Sequence, residues 1–151
     1  MNQVQARQAV LADLQVLAPL LDAYRVFYGS DSDVEAASQF LLERFNKGES
    51  VLFIAIAADT AVGFCQLYPS FSSVSLARTF ILNDLYVMES YRKQGIATML
   101  LKAAVEFAKD HGALRLTLST AITNRTAQSL YEHAGWIRDQ DFYVYSLKLS
   151  A

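Results

Sequence analysis

Residues 91–101, YRKQGIATMLL, set Arg92, Gly95 and Ala97 between a strand-like run and an apolar helix. The first N–H groups of a helix have no intrahelical acceptor, and the macrodipole gives that end partial positive charge. A phosphate-bearing ligand can bind there if small residues let its oxygens reach the backbone. Gly95 and Ala97 would permit that approach, and Arg92 and Lys93 add charge. Neither G-x-G-x-x-G nor G-x-x-x-x-G-K-[ST] is present, so dinucleotide and Walker loops are both excluded. Taken alone, R-x-x-G-x-A fits either an anion cradle or a loop that needed small residues to turn.

The neighbouring segments give this loop its setting. RTFILNDLYVMES, before it, is the longest strand candidate in the chain. After it, Leu100, Ala103, Ala104, Phe107 and Ala108 form one apolar stripe of a helix that runs to about His111. ALRLTLST then alternates leucines with polar residues, the period of a strand. TNRTAQSLYEHAG follows as a helix with the stripe Ala127, Leu130, Tyr131 and Ala134. Asn124 stands at its start, where its side chain can cap the backbone. Tyr131 lies seven residues on, two turns along the same face. Read singly, these two are a cap and a core residue.

Upstream, VQARQA reads as a short strand and LADLQVLAPLLDAYRVFYG as a helix ended by Gly29, with a kink or broken start at Pro19. SDSDVEAASQFLLERFNKG is a second helix, capped within Ser30 to Asp33 and closed by Lys47 and Gly48. The apolar run SVLFIAIAA suits a strand covered on both faces. DTA turns it into VGFCQLYPSF, and a polar loop through Ser70, Ser72, Ser73 and Ser75 precedes the long strand. FYVYSLKLS closes the chain as a strand, with a short extra one at WIRD. Runs of strands mixed with β-α units imply a mixed sheet with helices on both faces.

Composition bounds the class. A chain of 151 residues with 53% apolar content can bury a full core as one domain, 1–151, without disulfides or metals. Thirteen cations against 15 anions leave no basic stripe for nucleic acid. No apolar run reaches the roughly 18 residues a membrane span needs. MNQVQARQAV lacks the apolar block of a signal peptide, so the expected location is cytoplasmic. Cys65 is the only cysteine, which leaves no internal disulfide or thiolate cluster, and it is expected in the core. His111 and His133 lack carboxylates at ligand spacing, so no metal site is expected.

DLYVMESYRKQGIATMLLKAAVEFAKDHG followed by LRLTLSTAITNRTAQSLYEHAGW resembles the Gcn5-related N-acetyltransferase (GNAT) superfamily. Arg92, Gly95 and Ala97 match its R/Q-x-x-G-x-G/A loop, and Asn124, Tyr131 and Gly135 match its second motif. The resemblance implies an acyl-CoA N-acyltransferase fold of mixed α/β class. Its mostly antiparallel sheet would have six or seven strands, with four helices on both faces, in the order β-α-α-β-β-β-α-β-α-β-β. It implies acetyl-CoA as cofactor, with backbone N–H groups of Lys93, Gln94, Gly95, Ile96, Ala97 and Thr98 on the pyrophosphate. Leu85, Tyr86 and Val87 would pair with the pantetheine arm and polarise the thioester carbonyl. Asn124 would contact the cofactor, and Tyr131 would give a proton to the departing thiolate.

An alkyl ammonium, of pKa about 10.4, must lose a proton before it attacks. Relatives akin to polyamine and diamine acetyltransferases often carry a glutamate one residue before an aspartate on the long strand. Here the pair is Asn83 and Asp84, and Asn83 cannot act as a base. Asp84 is therefore a base or an ammonium anchor, with water-relayed deprotonation and a structural hydrogen bond as alternatives. The family selects its acceptor with the first two helices, the loop before the long strand and the C-terminal hairpin. Those segments carry Asp22, Tyr24, Tyr28, Asp31, Asp33 and Glu35, then Tyr68, Phe71, Asp139, Asp141, Phe142 and Tyr143. Carboxylates among aromatics suit a small cationic amine, although the same residues can serve as helix caps and sheet packing. Aminoglycosides, amino-acid amines and protein N-termini stay open as acceptors. A non-catalytic acyl-CoA-binding module on the same fold, or an unrelated phosphate-binding α/β domain, are the other classes. Dimers are common in this family, so a homodimer is one assembly the resemblance allows.

Overall fold

A computed structural model describes residues 3–150. The chain forms two compact units, Met1–Ser119 and Thr120–Ala151. The first holds strands β1 (Val4–Gln8), β2 (Val51–Ala57), β3 (Thr60–Ser72), β4 (Ala77–Val87) and β5 (Leu116–Thr117), with helices α1 (Leu14–Phe27), α2 (Val34–Asn46) and α3 (Ile96–Asp110). The second holds helix α4 (Arg125–His133).

The sheet runs β1-β2-β3-β4-β5. The first three pairings are antiparallel and β4–β5 is parallel, so the sheet is mixed. Ala58 and Asp59, with φ of 47° and 66°, form the tight β2–β3 turn, since a two-residue hairpin favours left-handed backbone at both positions.

Both faces of the sheet are covered, as the continuous apolar run in β2 requires. Leu52, Ile54 and Phe64 pack with Leu14, Leu17, Ala18 and Leu21 of α1 and with Ala37 and Leu41 of α2. Phe53 points the other way, its ring 5.7 Å from that of Phe107 on α3, and Phe80 of β4 meets the same ring at 5.6 Å. α3 buries Ile96, Leu100, Leu101, Ala104 and Ala108. A 3₁₀ turn, Leu11–Asp13, precedes α1, which runs without a break through Pro19.

Two expectations are corrected. Ser70 and Ser72 belong to β3, paired with Thr79 and Ala77, so the β3–β4 connection is only residues 73–76. Their serines alternate with Phe71 and so fit a strand as well as a loop. The sheet has five strands rather than six or seven, and residues 137–150, covering WIRD and FYVYSLKLS, carry no strand. A strand exists by its ladder, and among the described residues no backbone–backbone hydrogen bond engages 137–150. Alternation there records propensity without a partner.

Candidate active site

A bulge in β4 builds the centre of the first unit. Gln66 pairs with Asp84 and Leu67 with Leu82, so Asn83 is the extra residue. Residues two apart on a regular strand share a face, and Leu82 and Asp84 would do so without it. The bulge reverses that parity. Asp84 therefore joins Gln66, Phe64 and Tyr86 on the α1 side of the sheet.

The side chains there are bonded to one another. Gln66 Nε2 donates to Asp84 Oδ2 at 2.6 Å and to the Tyr68 hydroxyl at 3.2 Å. Asn83 Nδ2 donates to Asp84 Oδ1 at 3.1 Å, and the Tyr24 hydroxyl donates to the Asn83 carbonyl at 3.3 Å. Tyr28 lies against Tyr24, ring centroids 4.9 Å apart. Asp84 is 4% exposed, and burial holds its carboxyl above the usual range, against the hydrogen bonds from Gln66, Asn83 and Tyr24. Burial, with the Asp84 charge beside it, pushes the Tyr68 hydroxyl up to about 12. Cys65 is buried, and burial raises its thiol as well, which leaves it unreactive.

Of the residues read from sequence, Tyr24, Tyr68, Asn83 and Asp84 thus meet in one network, with Tyr28 at its edge. Gln66 was missed. Its signal was a lone amide inside the apolar run VGFCQLY, where a buried polar group must find a partner. Two acidic residues of the α1–α2 segment, Asp22 and Asp33, are engaged in structural hydrogen bonds. Asp22 accepts from Ser32 Oγ and from the Asp33 N–H, both at 2.6 Å, which holds its carboxyl below the usual range. Asp33 caps α2 at the Ala36 N–H. Phe71 lies under the Arg78 guanidinium, 4.7 Å from its carbon, at the far end of the hairpin.

The 91–101 loop starts α3 with Gly95 as the N-terminal cap residue, φ +79°. A Cβ on Gly95 would meet nothing within 4 Å, so the backbone angle demands glycine and the space before it is open. Lys93 also has positive φ, 63°. The N–H groups of residues 93–98 meet no acceptor among the described residues. Arg92 turns inward: its Nε donates to the Val87 carbonyl at 2.8 Å, and its guanidinium carbon lies 5.6 Å from the rings of both Phe27 and Tyr86. β5 pairs only with Phe80 and Ile81, so the β4 edge through Leu85, Tyr86 and Val87 carries no β5 partner.

In the second unit, Asn124 caps α4 through Oδ1 to the Ala127 N–H at 3.1 Å. Tyr131 packs against Trp136 at 6.0 Å between ring centroids. Phe142 is exposed. Among the described residues no group of three or more His, Cys, Asp or Glu could hold a metal ion, and no helix is long and apolar enough to cross a membrane.

The fourth strand of the mixed sheet thus leads through a loop of open N–H groups into α3. Residues 17–136 match the acetyltransferase (GNAT) family, and the chain belongs to it as an N-acetyltransferase. It is 46% identical over 145 residues to the uncharacterised N-acetyltransferase YhfO of Bacillus subtilis (strain 168), covering 96% of this chain and 97% of the relative. A crystal structure of a probable acetyltransferase superposes with a TM-score of 0.92 at 46% identity, covering 97% of this chain and 99% of that one. An aminoglycoside N-acetyltransferase, AAC(6')-Iy, solved in complex with CoA, shares the fold at a TM-score of 0.81 and 19% identity, covering 98% and 97% of the two chains.

Proposed function

We propose that the protein transfers the acetyl group of acetyl-CoA to a primary amine by direct attack on the thioester. The acceptor is a small cationic amine or polyamine-like molecule. The observation that carries the cofactor half is the row of unpaired N–H groups at residues 93–98, opening on free space at Gly95. A helix start with free amide N–H groups suits a pyrophosphate. The CoA complex of the aminoglycoside enzyme, which shares the fold, supports the same choice. The unpaired β4 edge at Leu85, Tyr86 and Val87 suits the amides of a pantetheine arm. Arg92, committed to Val87 and two rings, serves by shaping the loop, and Lys93 and Gln94 remain exposed beside it.

Acetyl-CoA supplies an activated acyl carbon and a thiolate leaving group. Asp84 takes the proton of the incoming ammonium, directly or through water, or anchors that ammonium. Burial raises its pKa above the usual carboxylate range, which makes it a better proton acceptor than an exposed carboxylate. Tyr24, Tyr28, Tyr68 and Asn83 surround the amine, and Phe142 is a further acceptor contact. Asn124 contacts the cofactor, and Tyr131 protonates the thiolate. The nitrogen–carbon bond forms as the carbon–sulfur bond breaks, giving an amide and free CoA thiol.

The test is a thiol-release screen with acetyl-CoA against polyamines, amino acids, aminoglycosides and peptides, run beside thermal shifts with CoA. Selective binding of CoA by the folded state raises its apparent stability. Release with diamines and polyamines, and a rise in Tm with CoA, is the expected result. No shift at saturating CoA would remove the cofactor assignment, and release only with peptides would remove the acceptor class.

A further inference from the structure

We propose that Gln66 is a positioning residue for Asp84, its sealed carboxamide orienting that carboxyl on the α1 side of the sheet and donating to its charged form. The inference rests on the reading of Asp84 as proton acceptor or ammonium anchor, and it assigns a role to a residue outside both family motifs.

Gln66 is wholly buried, between Cys65 and Leu67, which are equally sealed. An amide in such a place is costly unless bonded at both ends, and leucine would fill the same volume without that cost. Here the nitrogen end is committed twice, to Asp84 at 2.6 Å and to Tyr68 at 3.2 Å, while Oε1 has no partner. Packing alone would not call for an amide here, and both bonds that it makes use its donor end. The arrangement makes sense if the donor end is what matters.

The groups around Asp84 give that donor unusual weight. Asn83 and Tyr24 are its other hydrogen-bonding neighbours, from β4 and α1, and both are uncharged. Tyr68 faces it from β3, Cys65 feels its charge from the other face of that strand, and Arg44 of α2 acts on Tyr68. No cation of the described residues forms an ion pair with Asp84. The carboxylate is thus held by neutral dipoles alone, which leaves its countercharge to be brought by the amine. Rotation of the Gln66 amide also exchanges a donor for an acceptor, so the same side chain can face a carboxylate or a carboxylic acid. A proton acceptor passes through both states.

Gln66→Leu, Gln66→Met, Gln66→Glu and Asp84→Asn test this. The Asp84 carboxyl carbon is titrated by NMR, its signal identified by its loss in Asp84→Asn. The pH profile of kcat is taken with saturating acetyl-CoA and spermidine. Loss of a hydrogen bond to a charged acceptor should move the Asp84 midpoint upward by about 1–2 pH units in Gln66→Leu, with the acid limb of the rate moving alongside. Gln66→Glu, which sets two carboxyls together, should move it further in the same direction. Gln66→Met gives the same reading if the leucine variant does not fold. An unchanged midpoint in the Leu or Met variant overturns the role of Gln66 and leaves that of Asp84 standing. An acid limb that survives intact in Asp84→Asn overturns the Asp84 reading itself, and this inference with it.

Discussion

Gln66 Nε2 lies 2.6 Å from Asp84 Oδ2, both side chains buried, across the one place where β3 and β4 lose register. Asp84 is therefore a carboxyl that folding disfavours in its charged form. Its folded pKa is raised, so its contribution to stability is fully present below the unfolded value of 3.8 and is lost as pH rises through the folded value. Asp84→Asn keeps the shape and removes the charge. It should raise Tm at pH 7 relative to the native protein, with no such gain at pH 3, while lowering turnover by about 100-fold if Asp84 is the base. A rise in KM at constant kcat would instead assign the anchor role.

Two glycines separate conformational from steric need. At Gly95 a Cβ meets nothing, but φ is +79°. Gly95→Ala should cost about 1 kcal/mol, the usual penalty of left-handed backbone, and should weaken CoA binding by distorting the loop. Gly63 in β3 has the opposite problem, since a Cβ there would lie 2.8 Å from the Tyr86 carbonyl. Gly63→Ala forces the β3–β4 backbones apart and should cost more than Gly95→Ala, up to about 3 kcal/mol. Chemical denaturation of both variants checks the difference, and equal losses would contradict it.

What was legible in the sequence was local. The loop at Gly95, the cap at Asn124 and the stripe from Leu100 to Ala108 are written within single turns, and the element order follows through α4. The bulge was not legible, because Asn83 becomes an extra residue only when β4 is paired with β3. Gln66 could have been flagged by its isolation among apolar neighbours, but its partner lies 18 positions away. The C-terminal strand failed for the converse reason: alternation in FYVYSLKLS states what the segment could pair, without supplying a ladder. Asp22 and Asp33 could be read as acceptor-site carboxylates or as structural groups, with Asp33 among the possible caps of α2, because sequence shows charge and not direction.

Asp22 ties α1 to the start of α2 through Ser32 and Asp33, and those bonds hold its folded pKa below 3.8. Its stabilising effect is present above pH 3.8 and is lost as pH falls through the lower, folded value. Asp22→Asn should therefore lower Tm at pH 7, and the gap to the native protein should close on acidification below pH 3.8. Thermal unfolding at a series of pH values reads this directly. A gap that stays constant would mean that packing of the side chain, rather than its charge, holds the connection.

Tyr131 is the proposed acid, and its pairing with Trp136 sets the terms of its test. The ring packs on Trp136 at 6.0 Å, so truncation to alanine would confound chemistry with packing. Tyr131→Phe keeps the ring and removes only the hydroxyl. A departing thiolate near pKa 8.5 needs less help than an alkoxide would, so the hydroxyl is a mild acid and the expected fall in kcat is about 10- to 100-fold. An interaction made only as the carbon–sulfur bond breaks lowers kcat and kcat/KM together. The CoA-induced rise in Tm should then stay as in the native protein. An unchanged kcat would remove Tyr131 as the acid, and a lost thermal shift with normal turnover at saturation would make it a binding contact instead.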